Sequence, residues 1–401
     1  MSKIVITGLG VKAPSGLTVK TFWDQTKQGV NFISPITRFD CSNLDIHLAG
    51  LIEEFDPYAH LPKKTVSQSD RSTHLLAAAL DDALDDAKLP TGYFQPHEIG
   101  VCLASCFGGI QFSEPELYAQ VFNGPHRVSA YQAIAWFYAA TQGQWTIHRG
   151  VQGFAKSLVA GRAGGLEAIV MGSIALRNEH AKVFLCGGGD APVTPFSLMI
   201  HKSANWLTTA KQPDDAYLPF DTRASGAVLA EGAGAIVLEN EATTIDRQDQ
   251  IYSILLGSAV THSHDVHDEH QYLACIEQAI DNAGLTPKQI SFIIPDACGV
   301  SALDDIEARC LLRLFKDKIP PVTVPRTTIG HALSGAGVLD FVLACLMLKY
   351  QIILPTINVE ETTYPLLLVR NQFIQIPLNY GLLCQRGEGG INIAVVVGKY
   401  H

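Results

Sequence analysis

The feature that most constrains this chain is a strand–helix–strand pattern that occurs twice. In each copy a β-branched, strand-like run comes first, followed by a helical pattern with apolar residues three and four apart, and then a second strand-like run. Such a repeat predicts an α/β fold built from two duplicated halves. The segments are 3–10, 80–90 and 99–105 in the first half, and 252–260, 276–286 and 290–296 in the second.

Both halves also end on a strong strand that runs into glycine. These closing strands are "VFLCGGG" at 183–189 and "INIAVVVG" at 391–398. Between the halves, 239–250 is polar and charged, which is typical of a boundary. The 401 residues suffice for two units of ordinary size. We therefore predict an N-terminal half at 1–245 and a C-terminal half at 246–401.

A long segment at about 107–160 interrupts the repeat in the first half. It contains "YQAIAWFYAATQGQW", whose aromatic residues suit either ordinary core or a protein–protein interface. Only 17% of the chain is charged, against about 25% in ordinary soluble domains, which suggests that a partner covers part of its surface. The interface candidates in this segment are Tyr131, Trp136, Phe137, Tyr138 and Trp145.

Charge and composition exclude several classes of function. The net charge of −10 argues against broad nucleic-acid binding. The sequence has no run of ~20 apolar residues, so we expect no membrane span. The start lacks the pattern of a signal peptide. The nine cysteines are odd in number and include no C-x-x-C, which disfavours a disulfide framework or a zinc site. We expect a cytoplasmic protein without metal or cofactor.

Two glycine-containing stretches are candidate motifs. "TGLGVKA" at 7–13 is a loose dinucleotide fingerprint, but no acidic residue follows at the required distance, so it favours a tight structural turn. "LPFDTRASGAVLAEGAGAIVLEN" at 218–240 predicts a Pro-Phe-Asp turn that leads into a hairpin of small residues. Arg223 and Glu231 are the charges within that hairpin.

Two further glycine-rich turns complete a recognisable set. "VPRTTIGHALSGAGVLD" at 324–340 places a histidine before an apolar helix, and "RGEGGINIAVVV" at 386–397 opens the last strand. Together, and in this order, the motifs resemble those of the β-ketoacyl synthases of the thiolase superfamily over essentially the full chain. The resemblance implies a thiolase-like fold, in which two repeated halves form a five-layered α-β-α-β-α sandwich.

The stretch "LVAGRAGGLEA" at 158–168 places Arg162 at the start of an apolar helix. Arginine is almost never fully buried unless it is paired, and a helix start disfavours a cation. By the resemblance, this is the position of the nucleophilic cysteine, whose thiolate a helix N-terminus stabilises. Arginine cannot be acylated, so ordinary condensation is not expected here.

The same resemblance assigns the other site positions. The first catalytic histidine falls on Cys298, and the lysine falls on Arg326. Only the second histidine remains, as His331, which we interpret as a relic held by hydrogen bonds. Glu388 stands where a gatekeeping phenylalanine is usual. The resemblance therefore implies that no catalytic residues function in this chain.

This pattern of losses resembles the chain-length factor of type II polyketide synthases. "AGRAGGLEA", "DACGVSALDDIEA", "SGAGVLD" and "GEGGINIAVVV" are similar to stretches of that family. The resemblance implies a heterodimer with a ketosynthase α subunit and contact with an acyl carrier protein. Carrier proteins are acidic, so at net −10 we expect the carrier to dock mainly on the ketosynthase.

The residue types allow two roles for Arg162. It pairs inside the chain with a carboxylate such as Glu388 or Asp296, or it holds backbone carbonyls or a carboxylate of the partner across an interface. The internal pair is favoured.

The tunnel positions also come from the resemblance. In "GGIQFSEPELYAQVF" at 108–122 they fall on Ile110, Ser113 and Leu117, whose spacing places them on one helical face. The alternative is an amphipathic helix that faces its own core. A tunnel would measure chain length by steric misfit, because overfilling a packed cavity is unfavourable.

Three functions follow from these residues. The first is a non-catalytic subunit that shapes the cavity for a poly-β-keto chain. The second is a malonyl decarboxylase in which His331 acts beside Arg162 as carboxylate binder. The third is a pure stabiliser of the partner without substrate contact.

Overall fold

The computed structural model describes residues 3–89, 92–244, 250–316, 318–362 and 364–400. Its strands are β1 Ile4–Lys12, β2 Ile33–Pro35, β3 Leu48–Gly50, β4 Ile99–Ala104, β5 Ala155–Leu158, β6 Val183–Asp190, β7 Gly232–Asn240, β8 Ser253–His262, β9 Phe292–Ile294, β10 Ile352–Ile353, β11 Ile374–Gln375, β12 Tyr380–Arg386 and β13 Ile391–Gly398. Its helices are α1 Val19–Gln28, α2 Lys63–Ser67, α3 Arg71–Asp86, α4 Ile110–Asn123, α5 Gln132–Ala135, α6 Ala140–Arg149, α7 Gly164–Arg177, α8 Pro195–Ser203, α9 Glu241–Thr244, α10 Glu269–Asn282, α11 Ser301–Phe315 and α12 Ser334–Tyr350.

The main sheet shows the duplication directly. In the described chain its strand order is β5-β4-β6-β7-β1-β8-β13-β12-β9. In the first half β1, β7 and β6 are antiparallel neighbours, and β6 and β4 are parallel. The second half repeats this with β8, β13, β12 and β9. The halves join where Ile4–Ile6 of β1 pairs with 253–255 of β8. The predicted strands and the duplicated fold are confirmed.

The helices and the two halves of the sheet form five layers. Helices α7 and α12 contact each other and lie between the two halves of the sheet. Helix α3 covers the outer face of the first half, and α10 with α11 covers that of the second. Helix α12 is buried from Ser334 to Leu348, as expected for a helix that is apolar all round. The α-β-α-β-α sandwich is therefore confirmed.

The stretch 7–13 is not a tight turn, contrary to the sequence prediction. Residues up to Lys12 lie within β1. A Cβ on Gly8 would lie 2.1 Å from the Ala83 carbonyl oxygen, and one on Gly10 would lie 1.9 Å from that of Ala79. The glycines thus serve close packing of α3 on the strand rather than a change of chain direction.

The predicted hairpin at 218–240 is also wrong. Only β7 is a strand in this region, and its neighbours are β1 and β6. The residues before β7 are held by ion pairs and not by the hydrogen bonds of a second strand. Arg223 binds Asp221, and the buried Glu231 carboxylate accepts hydrogen bonds from Arg38 and Arg71.

Two sequence expectations concern the chain as a whole. Within the described ranges, no helix is both long and apolar enough to cross a membrane. The boundary predicted after residue 245 falls at 245–249, which lies outside the described residues. The division into 1–245 and 246–401 therefore stays a prediction.

Candidate functional site

Arg162 lies in a single helical turn that leads directly into α7. Its side chain is 2% exposed. The preceding Gly161 has a φ of +56°, and a Cβ on it would lie 2.1 Å from a carboxylate oxygen of Glu388. Glycine at 161 therefore lets the Glu388 carboxylate approach the start of α7.

Two carboxylates hold the Arg162 guanidinium. Nη1 donates to Glu388 Oε1 at 2.9 Å, and Nη2 lies 3.5 Å from Asp296 Oδ2. Asp296 is 2% exposed, whereas the Glu388 side chain is 51% exposed. Burial opposes the charge on Arg162, but Asp296 and Glu388 more than offset it and raise the pKa of Arg162. The predicted internal pair is confirmed with both carboxylates, and an interface role for this buried side chain is not favoured.

Arg326 and Cys298 belong to the same cluster. Arg326 Nη1 donates to the Asp296 carbonyl oxygen at 2.8 Å, and Nη2 pairs with Asp340. Cys298 is buried, with Sγ 4.0 Å from Asp304 Oδ1. Burial, and then the Asp304 carboxylate, raise the pKa of the Cys298 thiol. This thiol is therefore neutral and offers no general base.

His331 is fully buried and oriented by the backbone. Its Nδ1 accepts the Leu333 N–H at 3.1 Å, so the neutral ring carries its proton on Nε2. Nε2 has no hydrogen-bond partner among the described residues. Burial, and then the cations of Arg326 and Arg162, hold the pKa of His331 well below its usual value. The ring is thus a neutral donor.

The depressed pKa of His331 makes a pH prediction. An unfolded histidine takes up a proton below pH ~6.5, whereas the folded ring does not, so stability falls on acidification through that range. His331→Gln should remove up to about 1.4 kcal/mol per pH unit from this slope between about pH 6.5 and 5, and change nothing above it. Urea unfolding at several pH values measures the slope. Equal slopes in both proteins would contradict the assigned neutral state.

Trp206 is a residue of this site that the sequence analysis missed. It is 7% exposed. Its ring centroid lies 5.2 Å from that of His331 and 5.4 Å from that of His201. The Arg162 guanidinium carbon lies 5.8 Å from the same ring. An available signal was the Asn205–Trp206 pair just after a helix, since asparagine followed by an apolar residue is typical of a helix C-terminus.

The three predicted tunnel positions differ in their surroundings. Ile110 and Ser113 are buried within the chain, and Ser113 Oγ donates to the Gly109 carbonyl oxygen at 2.7 Å. Leu117 is 43% exposed and lines an open apolar groove of about 240 Å³ beside Phe196 of α8. Of the three, Leu117 therefore reaches an open groove. The role of all three in a tunnel stays a prediction.

The aromatic interface candidates separate into two groups. Trp145 is fully buried, and its Nε1 donates to Asp81 Oδ1 of α3 at 2.9 Å. It belongs to the core beneath α3, so its assignment to an interface is wrong. The remaining four are between 37% and 53% exposed in the chain alone: Tyr131, Trp136, Phe137 and Tyr138.

Comparison with known proteins gives one family along most of the chain. The family models described as "Beta-ketoacyl synthase, N-terminal domain" and "Beta-ketoacyl synthase, C-terminal domain" match residues 1–244 and 252–360. The tetracenomycin polyketide synthase ketoacyl synthase beta subunit of Streptomyces glaucescens is 34% identical over 99% of this chain and 98% of its own length.

Two solved structures share the fold over the full length of both chains. One is the ishigamide ketosynthase/chain length factor, with a TM-score of 0.94 and 23% identity. The other is a type II polyketide synthase acyl carrier protein in complex with its ketosynthase bound to the hexaketide, with a TM-score of 0.90 and 22% identity.

Proposed function

Because the chain belongs to the β-ketoacyl synthase family, we propose that it is the non-catalytic chain-length-factor subunit of a type II polyketide synthase. It pairs with a ketosynthase and shapes the cavity in which a poly-β-keto chain grows on an acyl carrier protein. The observation that carries the proposal is Arg162 at the start of α7, bound to Glu388 and Asp296. The beta-subunit name of the tetracenomycin relative supports it.

The chemistry around Arg162 supports the absence of condensation. A condensing site needs a thiolate nucleophile and groups that decarboxylate the extender and stabilise its enolate. Burial raises the pKa of Cys298 and also that of Cys106, where the Asp190 carboxylate adds to the effect. Both thiols stay protonated, so the partner has to provide the nucleophile.

The surface of the first half supports the heterodimer. Strand β5 lies at the end of the sheet, and β4 is its one neighbour among the described strands. Exposed apolar side chains occur in the same half, including Val121 and Phe122 of α4, which are 76% and 74% exposed. An open strand edge and exposed apolar area both favour association. An obligate interface typically buries more than ~2,000 Å².

Two further points belong to this proposal. The net charge of −10 repels an acidic carrier protein, so the carrier docks mainly on the ketosynthase. The nine cysteines are free thiols, which suits the reducing cytoplasm as the place of assembly.

The decarboxylase alternative is not favoured by the site. It needs a free cation for the malonyl carboxylate, but the Arg162 guanidinium already binds Glu388 and Asp296. His331 does supply a free N–H, yet a neutral ring gives no second charge to bind the substrate.

Filling the groove beside α4 tests the proposal. In the complex with the ketosynthase, Leu117→Trp should shorten the main product by at least one extension, because the larger ring occupies the apolar groove. Products formed with ketosynthase and carrier protein are compared by mass spectrometry. Leu367→Trp is the matched control, since Leu367 is 57% exposed and lies outside that groove. If product length is unchanged in an intact Leu117→Trp complex, the chain only stabilises its partner and does not contact the substrate.

A further inference from the structure

Trp206 is the third ring in a row of four. Phe107 stacks on His201 with centroids 5.0 Å apart, His201 contacts Trp206, and Trp206 meets His331 edge to face. The Arg162 guanidinium approaches the same indole. The indole thus contacts both Arg162 and His331.

The backbone holds Trp206 in this place from both sides. Asn205 has a φ of +54° and ends α8, and the Trp206 N–H donates to the His201 carbonyl oxygen at 3.1 Å. This is the helix-terminating arrangement in which the residue after the left-handed one packs back on the last turn. The Trp206 carbonyl accepts the Ala227 N–H at 2.8 Å. The ring therefore cannot leave the pocket without breaking these contacts or changing its rotamer in a packed core.

We propose that Trp206 is a steric plug that closes the pocket of this subunit to acyl thioesters, independently of Arg162. The inference rests on the proposed function and extends it, since it adds a second barrier to substrate entry. An acyl group placed between residue 162 and the Nε2 atom of His331 would need the space that the indole fills.

Trp206 contacts its surroundings by shape rather than through a hydrogen bond of its ring. Neither Nε1 of Trp206 nor Nε2 of His331 has a hydrogen-bond partner among the described residues. The indole therefore holds its place through ring and packing contacts, so the bulk of the side chain at position 206 is the property that the test has to vary.

The test uses the complex with the ketosynthase and a thiol at position 162. A chloroacetyl-pantetheine reagent alkylates a reachable thiol with loss of chloride, and peptide mass spectrometry reads the modified residue. In Arg162→Cys, labelling at 162 should be at least tenfold slower than in Arg162→Cys/Trp206→Ala. Arg162→Cys/Trp206→Phe should stay slow, because phenylalanine keeps a six-membered ring in the pocket although it lacks the five-membered ring with its N–H.

Trp23 provides a matched control, since it is also 7% exposed but packs against Tyr350. Arg162→Cys/Trp23→Ala should label as slowly as Arg162→Cys. Equal labelling rates at position 162 with and without the Trp206 ring, or fast labelling after Trp23→Ala, would contradict the plug proposal.

Failure of the plug and failure of the proposed function give different results. Polyketide length is measured in parallel with the Leu117→Trp complex. If the labelling rate at position 162 is the same with and without the Trp206 ring, but Leu117→Trp shortens the product, only the plug proposal is wrong. If the labelling rate rises on removal of the Trp206 ring, but Leu117→Trp leaves product length unchanged, the chain-length role is wrong and the plug proposal stands.

Discussion

Produced without a ketosynthase partner, the chain should aggregate, and co-expressed with that partner it should elute as a stable 1:1 complex. The physical reason is the exposed apolar surface of α4, where Tyr118, Val121 and Phe122 are between 54% and 76% exposed. Tyr118 and Phe122 also stack on each other, so the patch is continuous along the helix. Size-exclusion chromatography with light scattering measures the outcome.

Charge substitutions separate the interface from general solubility. Val121→Lys with Phe122→Lys should leave the single chain more soluble and weaken the complex at least tenfold. Leu367→Lys is the control, because it also replaces an exposed apolar side chain by lysine but lies in the second half, far in sequence from α4. A single chain that is monomeric and stable without any partner would contradict the interface.

Periodicity predicted the succession of strands and helices along both halves, but it could not assign the glycines of β1. Glycine is common in turns, and the sequence does not show that α3 lies directly against Gly8 and Gly10. The same limit applied to Trp145, because an aromatic residue suits core and interface equally. What decides its place is the Asp81 carboxylate on a distant helix, which binds the indole N–H.

In the site, charge was more predictable than shape. A buried arginine requires a carboxylate, and the sequence therefore indicated Glu388 and Asp296 as partners of Arg162. It did not indicate that Glu388 stays half exposed or that Trp206 fills the space beside His331. The place of Trp206 depends on how the turn after α8 directs its side chain, and that of Glu388 on the turn between β12 and β13. No local sequence pattern specifies either one.

Arg162→Cys should lower the stability of the complex by about 3–5 kcal/mol, the usual cost of leaving a buried carboxylate unpaired. Asp296 is the carboxylate concerned, since it is 2% exposed whereas Glu388 reaches solvent. No ketosynthase activity should appear, because Cys298 supplies no imidazole, His331 is the single histidine placed there by the resemblance, and Trp206 fills the pocket. Urea unfolding of the complex and intact-protein mass spectrometry with malonyl carrier protein measure the two effects.

A matched arginine and a second substitution make this prediction specific. Arg309→Cys removes an arginine that is 47% exposed and pairs with Glu269, so it should cost under about 1 kcal/mol. Arg162→Cys with Asp296→Asn should recover part of the lost stability, because the unpaired charge is gone while the amide oxygen still accepts the Arg386 N–H. An Arg162→Cys complex as stable as the parent would remove the ion-pair argument. Acylation of the new thiol followed by condensation of malonyl units would show that the pocket retains the chemistry assigned here to the partner.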